Sequence, residues 1–272
     1  MKVRNLNKEK YDWIIVGGGI SGISIAEILC REGKSVLLIE KNQLLASETS
    51  KVFHEWLHSG ALYTLAPDNL MTLRYLLGAT DDLLEYYSTF PRMNLVPTES
   101  GIGVVDFGWF NAERIEYRYK IRKMNPAWMT LVSRSASIIK QINTHDFLRR
   151  RAGAEYGPFK LQLGYVIDGF KAQIKSQADF FLQSSPDVTM NSRLLFLDLL
   201  SAAINKGLSV VTGEEVLAIN ECKSSVEVKV NDGVYHSKNV VICSPDFISK
   251  QLKIPIRTSY APIAVVENVP EE

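Results

Sequence analysis

Three glycines placed directly after a short apolar run constrain this chain more than any other feature. Trp13, Ile14, Ile15 and Val16 suit a buried parallel strand, and Gly17, Gly19 and Gly22 then follow in the G-x-G-x-x-G spacing of a dinucleotide-binding turn. The first glycine permits a tight turn, the second lets the backbone approach a pyrophosphate, and the third lets the next helix pack close to the strand. Ile20, Ile23, Ala26, Ile28 and Leu29 supply an apolar helix face, and Gly33 ends the helix. Ser35 to Ile39 reads as the second strand and runs into Glu40, an acid placed to hold both ribose hydroxyls of an adenosine. The strand, the helix and an acid about 20 residues on turn a common glycine pattern into a specific expectation of nucleotide binding.

Composition narrows the partners. The chain has 272 residues, 46% hydrophobic and 22% charged, which describes an ordinary globular protein of one large or two modest domains. A net charge of +1 argues against nucleic acid or an anionic membrane surface as a bulk electrostatic partner. Cys30, Cys222 and Cys243 form no CxxC pair, so neither a zinc knuckle nor a disulfide framework is expected, and a reducing, cytoplasmic setting is. The apolar run after the polar first ten residues is broken by glycines and Glu27, which excludes a signal peptide or membrane span.

Downstream, Ser47, Thr49 and Ser50 cluster past the second strand, where their hydroxyls could bond phosphate or flavin edges or cap a helix. Leucines at helical spacing from Pro67 to about Phe90 predict one or two amphipathic helices, and the alternation of Ile115, Tyr117, Tyr119 and Ile121 with charged residues predicts a half-buried strand. Asn191 or Ser192 caps a helix carrying Leu194, Leu195, Leu197, Leu199, Leu200, Ala203 and Ile204, and Gly207 stops it. Leu208 to Thr212 is a strand. Three short antiparallel strands then form a meander through the Asp232-Gly233 turn to Ser237, followed by a separate buried strand from Val240 to Cys243.

With VGGGISG, Glu40-Lys41, Thr49-Ser50 and His58-Ser59-Gly60 with Tyr63 in hand, the segment Tyr11 to Tyr63 resembles the N-terminus of the FAD-dependent oxidoreductases of the D-amino-acid oxidase superfamily, which includes glycine oxidase and glycerol-3-phosphate dehydrogenase. Asn191 to Cys243 resembles the second FAD-binding segment of the same superfamily. The resemblance implies an α/β fold: a Rossmann-like FAD-binding domain with a β-meander crossover, built from residues 11–66 and 186–250, plus an inserted α+β substrate domain over 67–185, with 251–272 starting its second segment. It further implies FAD as cofactor, with Gly17, Gly19, Ser21 and Gly22 along the pyrophosphate and Glu40 on the adenosine ribose. Lys41, Ser47, Thr49, Ser50 and Gly60 would complete the site, and Val216 would contact adenine through its backbone.

The implied activity is removal of a hydride from a C–N or C–O bond of a small metabolite such as an amino acid, an amine or a hydroxy compound. No catalytic acid or base is assigned. The sequence departs from the pattern in three places. Ser59 replaces a glycine, Leu62 stands where the glycerol-phosphate branch carries arginine, and Ser244-Pro245-Asp246 replaces small residues and a glycine. Proline lacks an N–H and carries a ring on its backbone, so either the loop is rerouted or flavin binding is modified. The superfamily also continues past the point where this chain stops at Glu272, which leads us to expect a fragment or a split protein.

Other readings compete. His54-Glu55-Trp56-Leu57-His58 matches the HExxH helix of zinc peptidases, whose histidines share a face at i and i+4. The extended form needs a third histidine where this chain has Thr64, so no metal is expected. A non-catalytic dinucleotide-binding fragment and an NAD enzyme are the remaining alternatives. The expected partner is a small-molecule substrate, with an oligomer or a missing C-terminal segment also open.

Overall fold

A computed structural model of the protein describes residues 10–51, 55–57, 79, 82–98, 101–105, 107–120, 180–251 and 253–255. The chain divides into two compact units, Met1–Val52 with Leu199–Glu272, and Phe53–Asp198.

The first unit is organised on β1 (Lys10–Val16), α1 (Ile20–Arg31) and β2 (Val36–Glu40). β1 and β2 pair in parallel with Ile14 opposite Leu37 and Val16 opposite Ile39. All five residues of β2 are buried, as a strand covered on both faces requires. The helix α1 meets the expected apolar face at Ile23 and Ala26, but its buried side also contains Glu27 and Cys30, while Ile28 and Leu29 are only partly covered. Gly33 ends the helix at φ +77°, the left-handed conformation that a glycine enters without a Cβ penalty.

In the second unit β3 (Trp56–Leu57), β6 (Phe110–Lys120) and β7 (Phe180–Met190) form an antiparallel sheet in the order β3-β7-β6, beside a hairpin of β4 (Leu95–Thr98) and β5 (Gly101–Val104). The alternation at Ile115 to Tyr119 therefore marks a real strand. Of the amphipathic segment before it, residues 82–87 are helical, and most of the remainder lies outside the described residues. Tyr87, Phe90 and Trp109 make edge and tilted ring contacts at 5.4 Å, and Trp109 Nε1 donates to Asp198 at 2.8 Å. Burial pushes the Tyr87 phenol up to about 12.

The described part of the HExxH motif is not helical. Trp56 and Leu57 are extended and paired with Thr189 and Val188, and Glu55 has φ +57°. The centre of the motif is thus a strand, and the helix that would bring two histidines together on one face is interrupted. His54 and His58 themselves lie outside the described residues. The Glu55 carboxylate accepts the Ser192 hydroxyl at 2.6 Å.

α2 (Ser192–Asn205) begins under an Asn191 cap, whose Oδ1 accepts the Leu194 N–H at 3.0 Å. Leu195, Leu199 and Ala203, four residues apart, are its buried side, whereas Leu197 and Ile204 are exposed. Gly207 closes the helix at φ +97°.

The first unit resumes at Leu199, within α2, and continues with β8 (Ser209–Thr212), which pairs in parallel with β2, and then β9 (Val216–Cys222), β10 (Ser225–Val230) and β11 (Gly233–Ile242). The full sheet runs β8-β2-β1-β11-β10-β9. The two strands expected at Val234–Ser237 and Val240–Cys243 are in fact one. β11 pairs antiparallel with β10 and parallel with β1. The polar pair between its halves stays extended because both side chains find partners on Asp12: Lys238 Nζ reaches Oδ1 at 2.6 Å and Asn239 Nδ2 donates to the carbonyl at 3.2 Å. Ile14, Val16, Leu37 and Ile39 form one core with Val216, Val228, Val230 and Tyr235 of the meander. Each such fully buried aliphatic side chain stabilises the fold by about 1.5–3 kcal/mol. α3 (Pro245–Gln251) closes the described chain apart from 253–255.

Candidate functional site

The C-terminal ends of β1 and β2, the start of α1, the loop after β2, the β8–β9 turn and α3 border a cavity of about 300 Å³. This is the low end of ligand-pocket volumes, suited to part of a dinucleotide. Of the residues singled out from the sequence, Gly17, Gly19, Ser21, Glu40 and Lys41 line it, as do Ser47, Thr49, Ser50 and Val216. Gly22 stands behind the wall, so close to the Gly17 carbonyl that any side chain would collide with it. Gly60 lies outside the described residues.

The glycine turn is closed by the sheet itself. Gly17 has φ +105°, and its N–H donates to the Ile39 carbonyl at 2.8 Å. A Cβ on Gly17 would lie 2.8 Å from the Cys243 carbonyl oxygen, and one on Gly19 would lie 3.3 Å from Ser50 Oγ. α1 therefore begins with bare backbone at the cavity. Its N-cap, Gly19, makes no side-chain cap bond, and no acid sits in the first turn. A helix start of this kind favours an anion through its N–H groups and dipole.

Glu40 is buried and rigidly held. Its Oε2 accepts the Gly18 N–H at 2.7 Å and its Oε1 accepts the Asn42 N–H at 2.9 Å. Each oxygen keeps a further lone pair. The hydroxyl cluster does not cap a helix of its own, since residues 41–51 are turns and bends. Instead Ser50 Oγ accepts the Ile20 N–H of α1 at 3.1 Å, across thirty residues of sequence. Ala46, at φ +51°, ties the same loop to the glycine turn by donating to the Gly18 carbonyl at 2.8 Å.

Pro245 does not interrupt regular structure. It is the first residue of α3, where a missing N–H costs nothing because that group has no partner in a helix anyway. Ser244 precedes it as the cap, its carbonyl accepting the Ile248 N–H at 3.1 Å. Asp246 then points across the cavity mouth to Lys41, at 2.8 Å, and Lys41 also contacts Glu48 at 3.0 Å. Hydrogen bonds to Asp246 and Glu48 hold the Lys41 ammonium above the ordinary lysine range, and the same lysine holds both carboxyls below theirs.

Sequence reasoning missed several members of the wall. Glu48, Glu214, Glu215, Cys243, Asp246 and Lys250 carry no motif and come together only through the sheet order. Burial pushes the Cys243 thiol up, which makes it less reactive than a free thiol at ordinary pH. Among the described residues no cluster of three or more His, Cys, Asp or Glu could hold a metal ion, and no helix is long and apolar enough to cross a membrane.

Comparison with known proteins adds scale. UDP-galactopyranose mutase of Mycoplasma pneumoniae is 44% identical over 59 residues, 19% of this chain and 15% of that protein. The solved structure of L-amino acid deaminase from Proteus vulgaris superposes with a TM-score of 0.55 at 16% identity, covering 93% of this chain and 52% of that one. A form of the same deaminase lacking its specific insertion sequence gives 0.51 at 15%, covering 87% and 55%. These likenesses are of fold, and this chain spans about half the length of the solved structures. Residues 12–272, nearly the whole sequence, match one family model throughout, and the chain belongs to the FAD dependent oxidoreductase family.

Proposed function

We propose that the cavity receives the ADP half of FAD, and that the chain serves an oxidoreductase removing a hydride from a C–N or C–O bond of an amino acid, an amine or a hydroxy compound. The observation that carries the reading is the pairing of a helix start whose N-cap residue, Gly19, has no side chain with a fixed carboxylate on one small cavity. Gly17, Gly19 and Ser21 would border the pyrophosphate, with the α1 backbone offering N–H groups. Glu40, with one free lone pair on each oxygen, would accept the two ribose hydroxyls. Val216 would meet adenine, and Ser47, Thr49 and Ser50 would flank the phosphates on the loop that Ala46 and Ser50 anchor.

FAD, once bound, supplies the hydride acceptor, while the protein contributes binding, orientation and exclusion of water. The oxidoreductase activity rests on membership of the family, and the metabolite class on the sequence resemblance of Tyr11 to Tyr63 and Asn191 to Cys243. The test begins with the purified full chain. Visible flavin absorbance, quenching of added FAD fluorescence and competition by ADP are expected. A chain that binds neither FAD nor ADP would contradict the reading.

A further inference from the structure

Acids outnumber cations around the cavity. Five carboxylates line it, against the ammonium groups of Lys41 and Lys250. A pyrophosphate brings more negative charge, and charges closer than a Debye length of about 10 Å at 0.1 M salt repel one another. The countercharge is not spread evenly. Glu40 is held by two main-chain N–H groups. Lys41 Nζ lies 2.8 Å from Asp246 Oδ2 and 3.0 Å from Glu48 Oε1, so one ammonium covers two carboxylates. These come from separate segments, the loop after β2 and the first turn of α3. Asn42 Nδ2 adds a contact to the same Glu48 oxygen at 3.2 Å.

An ammonium engaged at about 3 Å by two acids has little left for a phosphate. We infer that Lys41 is a positioning residue that masks the charge of Glu48 and Asp246, admitting a pyrophosphate-bearing nucleotide to an otherwise acidic cavity, and that it is not itself a phosphate ligand. This rests on the reading of the cavity as an ADP site.

The roles of mask, ligand and strut separate in a binding experiment on the full chain, with ADP and adenosine as probes at low and high salt. Lys41→Met exposes two acids, so ADP binds roughly tenfold more weakly at low salt, the gap closes as salt rises, and adenosine is unaffected. Neutralising the acids while keeping the lysine, Glu48→Gln with Asp246→Asn, frees the ammonium and tightens ADP binding several-fold. Adding both neutralisations to Lys41→Met restores ADP affinity to within about threefold of the unsubstituted chain.

A triple variant as weak as Lys41→Met would make Lys41 a phosphate ligand and overturn the inference. Equal loss for ADP and adenosine, or weaker ADP binding in the doubly neutralised variant, would make it a mechanical strut and overturn it as well. If Lys41→Met does not fold, the doubly neutralised variant decides alone. Failure of the unsubstituted chain to bind ADP or FAD overturns the cavity reading and this inference together. ADP binding that ignores all these substitutions overturns the inference only.

Discussion

The carbonyl oxygen of Cys243 occupies the space that a Cβ on Gly17 would need: a carbon built there would lie 2.8 Å away. The contact follows from strand pairing. β1 and β11 run parallel with Val16 opposite Ile242, and the Cys243 N–H donates to the Val16 carbonyl at 2.7 Å. The first glycine of the motif is therefore required twice, by its φ of +105° and by the neighbouring strand end. Gly17→Ala is expected to lower stability by about 2 kcal/mol or more, because both strain and overlap must be relieved. Thermal melting with and without FAD checks it, and an unchanged midpoint would refute it.

Removing the Glu40 side chain takes the acceptor from two main-chain donors at once. Glu40→Ala should cost about 1–3 kcal/mol in the apo protein through the stranded N–H groups of Gly18 and Asn42. It should also weaken FAD and ADP alike. Urea unfolding together with ligand titration separates the two effects, and Glu40→Gln, which keeps an acceptor, should fall between.

Ser50→Ala removes the hydroxyl that accepts the Ile20 N–H. Loss of a cap of this kind costs about 1 kcal/mol. Faster hydrogen exchange at the first turn of α1, with α2 unaffected, is the expected signature.

The Lys41 clamp carries a pH dependence of definite sign. Glu48 and Asp246 are held below their ordinary values of 4.5 and 3.8, so their contribution is present above those values and lost as pH falls through the lower folded ones. Lys41 is held above its ordinary 10.5, so its contribution is present below that value and lost as pH rises beyond it. The difference in urea midpoint between the unsubstituted chain and Lys41→Met should be flat from about pH 5 to 10 and shrink outside that window. A difference that grows as the solution is acidified below pH 4 would contradict the clamp.

Thiol chemistry tests the burial of α1. Cys30 is buried, and desolvation followed by the nearby Glu27 carboxylate raises its thiol to about 11. Cys222 is exposed. An aromatic disulfide reagent near neutral pH should label Cys222 at once and Cys30 only on unfolding, while added FAD should slow labelling of Cys243, which borders the cavity.

Much of the first unit was legible because its signals are local. The glycine spacing from Gly17 to Gly22, the apolar run of β2 and the alternation of β10 each depend on residues a few positions apart, and backbone geometry translates such spacing directly into a face or a turn. Two local signals misled. The HExxH pattern is a helical signature only if the chain is helical there, and pairing of Trp56 and Leu57 with β7 overrides it. Lys238 and Asn239 look like a break between two strands, but Asp12 of β1 supplies both with partners and the strand runs through.

From its sequence alone this protein was committed to a strand–glycine-turn–helix unit ending in Glu40, since each step is encoded by neighbours along the chain. Only the tertiary structure decided that Ser50 caps α1, that Pro245 opens a helix and that Lys41 meets Asp246, 205 residues away. Periodicity says which way a side chain faces on its own element. Which charges then stand at hydrogen-bond distance depends on the order of the strands, and the order β8-β2-β1-β11 is what gathers these loop and helix ends around one cavity.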